Sequence, residues 1–160
     1  MVQRANPGVA VGEGAKGARL LIIEARYYEA LADALADGAI AAATAAGCTV
    51  ERIAVPGALE IPQALALAAH GRRIGRPNGA GPCHAAVALG CVIRGETSHY
   101  DTVCDNANHW LMHVANEHGL AVGNGILTVE NEAQAWARAE NKGRDAARVA
   151  VEMANLLEDM

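Results

Sequence analysis

The sequence predicts an α/β fold, a three-layer α/β/α sandwich around a four-stranded parallel sheet. Short runs of aliphatic and β-branched residues alternate four times with longer segments whose apolar residues recur at helical spacing. The run Ala85 to Ile93 is apolar almost without interruption, as a strand covered on both faces must be. The 160 residues suffice for one domain with a real core, yet there is no Phe and only 3% of residues are aromatic. That core has to be built from small side chains in closely approaching helices and strands.

Met1 to Ala18 is glycine-rich and reads as an arm that is flexible or pairs with a neighbour, leaving residues 19–160 as one domain. Arg19 to Glu24 is a first strand bounded by charge, and Ala25-Arg26-Tyr27-Tyr28 follows at its C-terminal end. Tyr28 to Ala46 is a helix with Leu31, Leu35, Ala39, Ala42 and Ala43 at helical spacing and Gly47 as its stop. Thr49 to Val55 is a second strand, followed by Pro56-Gly57-Ala58-Leu59-Glu60-Ile61-Pro62, a stiff turn with Glu60 as its one charge. A short helix from Ile61 to Ala69 ends at Gly71, and Arg72 to Pro82 is a Gly/Pro/Arg loop.

After the third strand, Asp101 to His118 is helical, with Val103, Ala107, Leu111 and Val114 on one face and Gly119 as the stop. Leu120 to Thr128 is the fourth strand, and Gly123-Asn124-Gly125 within it marks a close backbone approach. Asn131 to Glu140 is a helix, Asn141-Lys142-Gly143 a break, and a last helix reaches Leu157 with Ala146, Val149, Ala150, Met153 and Leu156 as its expected buried stripe. By this alternation the sandwich is flavodoxin-like.

Composition excludes several classes of function. A net charge of -5 and the absence of any basic run argue against nucleic acid as a partner. No long apolar span suits a membrane, no apolar segment near the start reads as a signal peptide, and the cytoplasm is the expected compartment. Cys48, Cys83, Cys91 and Cys104 show no C-x-x-C spacing and read as reduced structural thiols.

The candidate site is Leu89 to Asp101, where the buried strand breaks at Gly95 into small polar residues and reaches His99. Thr97 and Ser98 are N-cap candidates, so a helix starting here points free N–H groups and a positive dipole end at the C-terminal edge of the sheet. An anion belongs there, with an imidazole beside it suited to moving protons near neutrality.

Four segments carry a resemblance: Pro56 to Pro62, Gly90 to Asp101, Asn141-Lys142-Gly143 and Glu152-Met153-Ala154-Asn155-Leu156. In this order they resemble the 6,7-dimethyl-8-ribityllumazine synthase family, and the resemblance covers Leu20 to Leu157. It implies condensation of 5-amino-6-(D-ribitylamino)uracil with 3,4-dihydroxy-2-butanone 4-phosphate, without cofactor or metal. It implies His99 as the proton-transfer group and Gly95, Glu96 and Thr97 as the phosphate turn, with Arg138 reaching the phosphate from a neighbouring subunit. Tyr27 would stack on the pyrimidine, the backbone of Ala58 and Leu59 would meet it, Glu60 would bind ribityl hydroxyls, Val92 and Ile93 would line the pocket, and Lys142 would add a polar contact. The resemblance further implies a homo-oligomer, a pentamer at least, with sites shared between adjacent subunits.

The sequence departs from that family's pattern at Tyr28, where many members have Asn, at Asn124, where many have an aromatic near the substrate ring, and in a shorter connection between Arg138 and Lys142. Two other readings stand beside it. One is a catalytically silent flavin-binding or shell-forming homologue. The other is a metal-binding protein using Asp105, His109, His113 and Glu117, which recur every four residues on one helix face and which the bland reading makes a solvated stripe or a subunit contact.

Overall fold

A computed structural model describes residues 17–75 and 81–158. Most of the expected N-terminal arm and part of the expected loop from Arg72 to Pro82 lie outside them. The elements run β1 (Arg19–Ala25), α1 (Glu29–Ala45), β2 (Thr49–Val55), α2 (Glu60–His70), β3 (Ala85–Ile93), α3 (His99–His118), β4 (Val122–Val129) and α4 (Glu132–Glu158). All strand pairs are parallel, in the order β2-β1-β3-β4.

Strand alternation divides the core in two. Leu20 and Ile22 of β1, with Ala85, Val87 and Leu89 of β3, pack under α1 and α4. Leu21, Ile23, Ala86 and Ala88 face α2 and α3 on the other side. The result is the expected three-layer α/β/α sandwich. The chain steps from β1 to β2 on one side and then returns past β1 to β3 on the other, so the order of strands reverses between β1 and β3. A crevice opens at that point beyond the C-terminal ends of the strands.

The C-terminal quarter corrects the sequence reading. Asn141-Lys142-Gly143 does not break the chain, because α4 is one helix of 27 residues. Gly143 is buried where α4 crosses α1: a methyl group there would overlap the Leu35 carbonyl, and one on Gly38 of α1 would overlap that of Glu140. The glycine is present for contact between backbones, and its helix-weakening cost of about 1 kcal/mol is small beside that packing. The buried stripe is also rotated from the expected one. Ala146, Ala147, Ala150, Val151 and Ala154 face the core, while Val149, Met153 and Leu156 are exposed. Alanine, which hydropathy ranks below Val, Met and Leu, wins the inward face because only a small side chain fits the close approach of α4 to α1 and to β4. At Gly123, an added methyl would overlap the Ala146 carbonyl of α4.

The start of α3 differs in detail. Ser98 occupies the cap position in helical geometry and makes no side-chain cap bond, and the hydroxyl Oγ1 of Thr97 accepts the His99 N–H at 3.2 Å. Gly119 ends α3 with φ 64°, in the left-handed region that favours glycine. No helix among the described residues is long and apolar enough to cross a membrane.

Candidate active site

The crevice at the switch point is a cleft of ≈ 310 Å³. Three loops build it, each from the C-terminal end of a strand. Tyr27 and Tyr28 come from the β1–α1 connection, Gly57 to Glu60 from the β2–α2 turn, and Cys91, Val92, Ile93, Gly95, Thr97, His99, Tyr100 and Val103 from the end of β3 and the start of α3. Cys91 faces the α1 layer and Val92 the α2 layer, so the cleft straddles the end of β3.

Nine of the expected site residues therefore converge: Tyr27, Ala58, Leu59, Glu60, Val92, Ile93, Gly95, Thr97 and His99. Glu96 sits in the same turn, exposed, without lining the cleft. Asn124, Arg138 and Lys142 lie away from it. Asn124 is on the outer strand β4, where its Nδ2 donates to Asn108 Oδ1 at 2.8 Å and its Oδ1 accepts the Ile126 N–H at 2.9 Å. Arg138 donates to the Gln134 carbonyl at 3.1 Å. Among the described residues neither Arg138 nor Lys142 has a carboxylate partner.

Sequence reading did not single out Gly57, Cys91, Tyr100 and Val103 as lining residues, and it placed Tyr28 beside Tyr27 at this sheet edge without giving it a contact. Helical phase offered a signal for Val103, which lies one turn beyond His99. Tyr28 packs edge-on against Tyr27, ring centroids 4.9 Å apart, and supports the exposed ring.

Electrostatically the cleft is short of positive charge, for among the described residues no Lys or Arg lines it. The arginines beside it in sequence are engaged. Arg26 reaches Glu24 at 2.9 Å, Glu29 at 3.1 Å and Asp33 at 2.5 Å. Arg94 donates to Glu130 at 2.7 Å and lies 3.7 Å from Asp101. Glu24, buried on β1, is further held by Arg52 at 2.6 and 2.8 Å. This network braces the root of the Tyr27 loop. What remains for an anion is the start of α3, whose first-turn N–H groups face the sheet edge.

The thiols do not supply a nucleophile. Burial pushes Cys91, the one that touches the cleft, up to about 11, and it raises Cys48, Cys83 and Cys104 as well. On α3, the His109 and His113 rings stack with centroids 6.3 Å apart and His113 Nε2 lies 3.0 Å from Glu117. Among the described residues no three His, Cys, Asp or Glu side chains are grouped to hold a metal ion.

A profile of the 6,7-dimethyl-8-ribityllumazine synthase family matches residues 17–158. The chain belongs to that family. It is 51% identical to the 6,7-dimethyl-8-ribityllumazine synthase of Azorhizobium caulinodans, over 98% of this chain and 96% of that protein. The enzyme of the same name from Leptothrix cholodnii is 46% identical over 99% of each chain. The 6,7-dimethyl-8-ribityllumazine synthase 1 of Rhizobium meliloti is 50% identical over 88% of this chain and 92% of its own. Membership agrees with the flavodoxin-like sheet and sets the cleft in an enzyme that takes small-molecule substrates.

Proposed function

We propose that the cleft is one half of a condensation site that a neighbouring copy of the chain completes. The reaction is the penultimate step of riboflavin biosynthesis: 5-amino-6-(D-ribitylamino)uracil and 3,4-dihydroxy-2-butanone 4-phosphate give 6,7-dimethyl-8-ribityllumazine, phosphate and two waters. The amine attacks the ketone carbon to form a tetrahedral carbinolamine, so the enzyme must hold two substrates together and carry a proton from nitrogen to oxygen. Holding both substrates in one cleft supplies the larger part of the rate, since effective molarity can lower a barrier by roughly 7–11 kcal/mol. His99 carries the proton. Tyr27 stacks on the pyrimidine, the Ala58 and Leu59 backbone and Glu60 hold its polar edge and the ribityl chain, Val92 and Ile93 line the ring, and the turn from Gly95 to Thr97 takes the phosphate.

One observation carries the shared site. Among the described residues the cleft presents a helix start to an anion but no Lys or Arg, while Arg138 and Lys142 lie on an outer face of α4 without a carboxylate. Spacing puts Arg138, Lys142, Val149, Met153 and Leu156 on one stripe of that helix, and its last three residues are exposed. Leu59, Leu67, Trp110 and Met112 are exposed on the opposite α2–α3 layer. Two different apolar faces on opposite layers suit a head-to-tail contact, the kind that builds a ring when the rotation between copies closes. Such a contact brings Arg138 to the neighbour's phosphate, with the planar fork that suits phosphate oxygens. Lys142, and Asn124 on the edge strand, belong to the same neighbour's contribution. We read the ring as a pentamer, which a solution mass tests.

Mixing two damaged variants tests the sharing. Arg138→Ala should raise KM for the butanone phosphate at least tenfold, and His99→Ala should lower kcat. When the two are coexpressed, roughly a quarter of the sites in hybrid rings combine an intact cleft with an intact Arg138, and activity should recover to that extent. No recovery in hybrids of the correct mass would place Arg138 in its own subunit's site or outside any site.

A further inference from the structure

Arg94 to His99 are six consecutive exposed residues, so burial does not hold the turn on which proton transfer and phosphate binding depend. Ser98 provides no side-chain cap, open space lies beside Gly95, where an added methyl group would meet nothing within 4 Å, and the 3.2 Å bond from His99 N–H to Thr97 is internal to the turn. Exposed turns with few contacts open easily. A reacting imidazole misplaced by about 1 Å loses up to roughly a hundredfold in rate. Contacts to residues beyond the turn have to aim it.

We propose that Arg94 is the positioning residue that holds the start of α3, and with it His99, in register with the cleft. Its backbone N–H donates to the Val129 carbonyl at 2.9 Å, fastening the end of β3 to the end of β4. Its guanidinium lies 4.3 Å from the centroid of the Tyr100 ring. Nε donates to Glu130 Oε2 at 2.7 Å, and the far end of the fork is 3.7 Å from Asp101 Oδ1. Tyr100 and Asp101 directly follow His99, and Glu130 leads into α4. One side chain thus spans the base of the turn from the strand to the first turn of α3 and across to the β4–α4 connection. Its charge faces two carboxylates, so it is not the phosphate's cation and acts through His99. The planar face on Tyr100 and the fork to Glu130 are features of arginine that lysine reproduces only in part.

This inference rests on His99 being the proton-transfer group, and the test separates the two. Arg94→Gln should lower kcat about tenfold with KM for the pyrimidine unchanged, and Arg94→Lys should recover part of that loss. In a His99→Ala background the same Arg94→Gln change should cost less than twofold, because the group it positions is gone. Glu130→Gln, outside the cleft, should reproduce a smaller fall in kcat. A full tenfold loss in the His99→Ala background would show that Arg94 acts by another route, and a wild-type kcat for Arg94→Gln would end the proposal. A wild-type kcat for His99→Ala would instead overturn the proton-transfer reading itself.

Discussion

Replacing Gly143 with alanine should destabilise the fold, although in an exposed helix interior the same change stabilises by roughly 1 kcal/mol. The added methyl carbon would overlap the Leu35 carbonyl oxygen, lie 2.8 Å from that group's carbon and 3.2 Å from Ala39 N. Carbon atoms pack at about 3.5–4.0 Å, so α1 and α4 must part by about 1 Å. Every atom in the way is backbone, and no side chain can swing aside. Parting the helices loosens the alanine-lined seam of Ala36, Ala39, Ala139 and Ala147, all buried, which is filled only while the two axes stay close. Overpacking usually costs about 1–3 kcal/mol; with only backbone in the way the cost lies above that range, about 3–4 kcal/mol, and leaves a net loss of about 2–3 kcal/mol after the propensity gain of about 1 kcal/mol. For a chain of 160 residues that lowers Tm by roughly 5–10 °C. Melting should be followed by circular dichroism at one fixed protein concentration, because an oligomer's Tm depends on it. Gly75→Ala, where the methyl meets nothing within 4 Å, is the control and should stay within about 0.5 kcal/mol of the parent. A Gly143→Ala variant as stable as the parent would refute the close-approach explanation and return Gly143 to the role of an incidental helix glycine.

The remaining expectations are briefer. His99→Ala should slow condensation by about 10²–10⁴ while leaving both KM values within a few-fold, since proximity survives the loss of the proton carrier; steady-state kinetics with equal losses in binding and rate would contradict this. Burial moves the Cys91 thiol from 9.0 up to about 11, so the folded state holds that proton more tightly than the unfolded state. Its stabilising share is complete below pH 9 and disappears as pH rises through 11. Urea midpoints measured at about pH 8 and about pH 10.5 should therefore fall less in Cys91→Ala than in the parent, and identical falls would discard the assignment. Replacing both His109 and His113 by alanine should leave kcat unchanged, whether or not a chelator is present. Activity lost in that variant and tracking bound zinc would revive the metal-binding reading.

Local pattern was a good guide wherever a property depends on chain neighbours alone. The strands β2 and β3 fell at Thr49–Val55 and Ala85–Ile93 as expected, because short runs rich in β-branched residues and bounded by turn formers leave few alternatives. Convergence of Tyr27, Ala58 to Glu60 and Gly95, Thr97 and His99 on one crevice was also legible, since each follows a parallel strand and loops after parallel strands share one sheet edge. Asn141-Lys142-Gly143 misled, because a glycine that stops a helix and one that lets two helices touch look alike in one chain. Which of them it is depends on α1, some hundred residues away in sequence. The inward face of α4 misled for the same reason, alanines displacing larger apolar residues where the space is set by a partner. Tertiary structure alone decided the engagement of Arg26 and Arg94 by carboxylates and the isolation of Arg138 and Lys142 on an outer face. Sequence determined which chemistry the cleft can hold. The packing of one element on another decided which charges are free to serve it, because a side chain's partners are fixed by what lies across the gap and not by what precedes it in the chain.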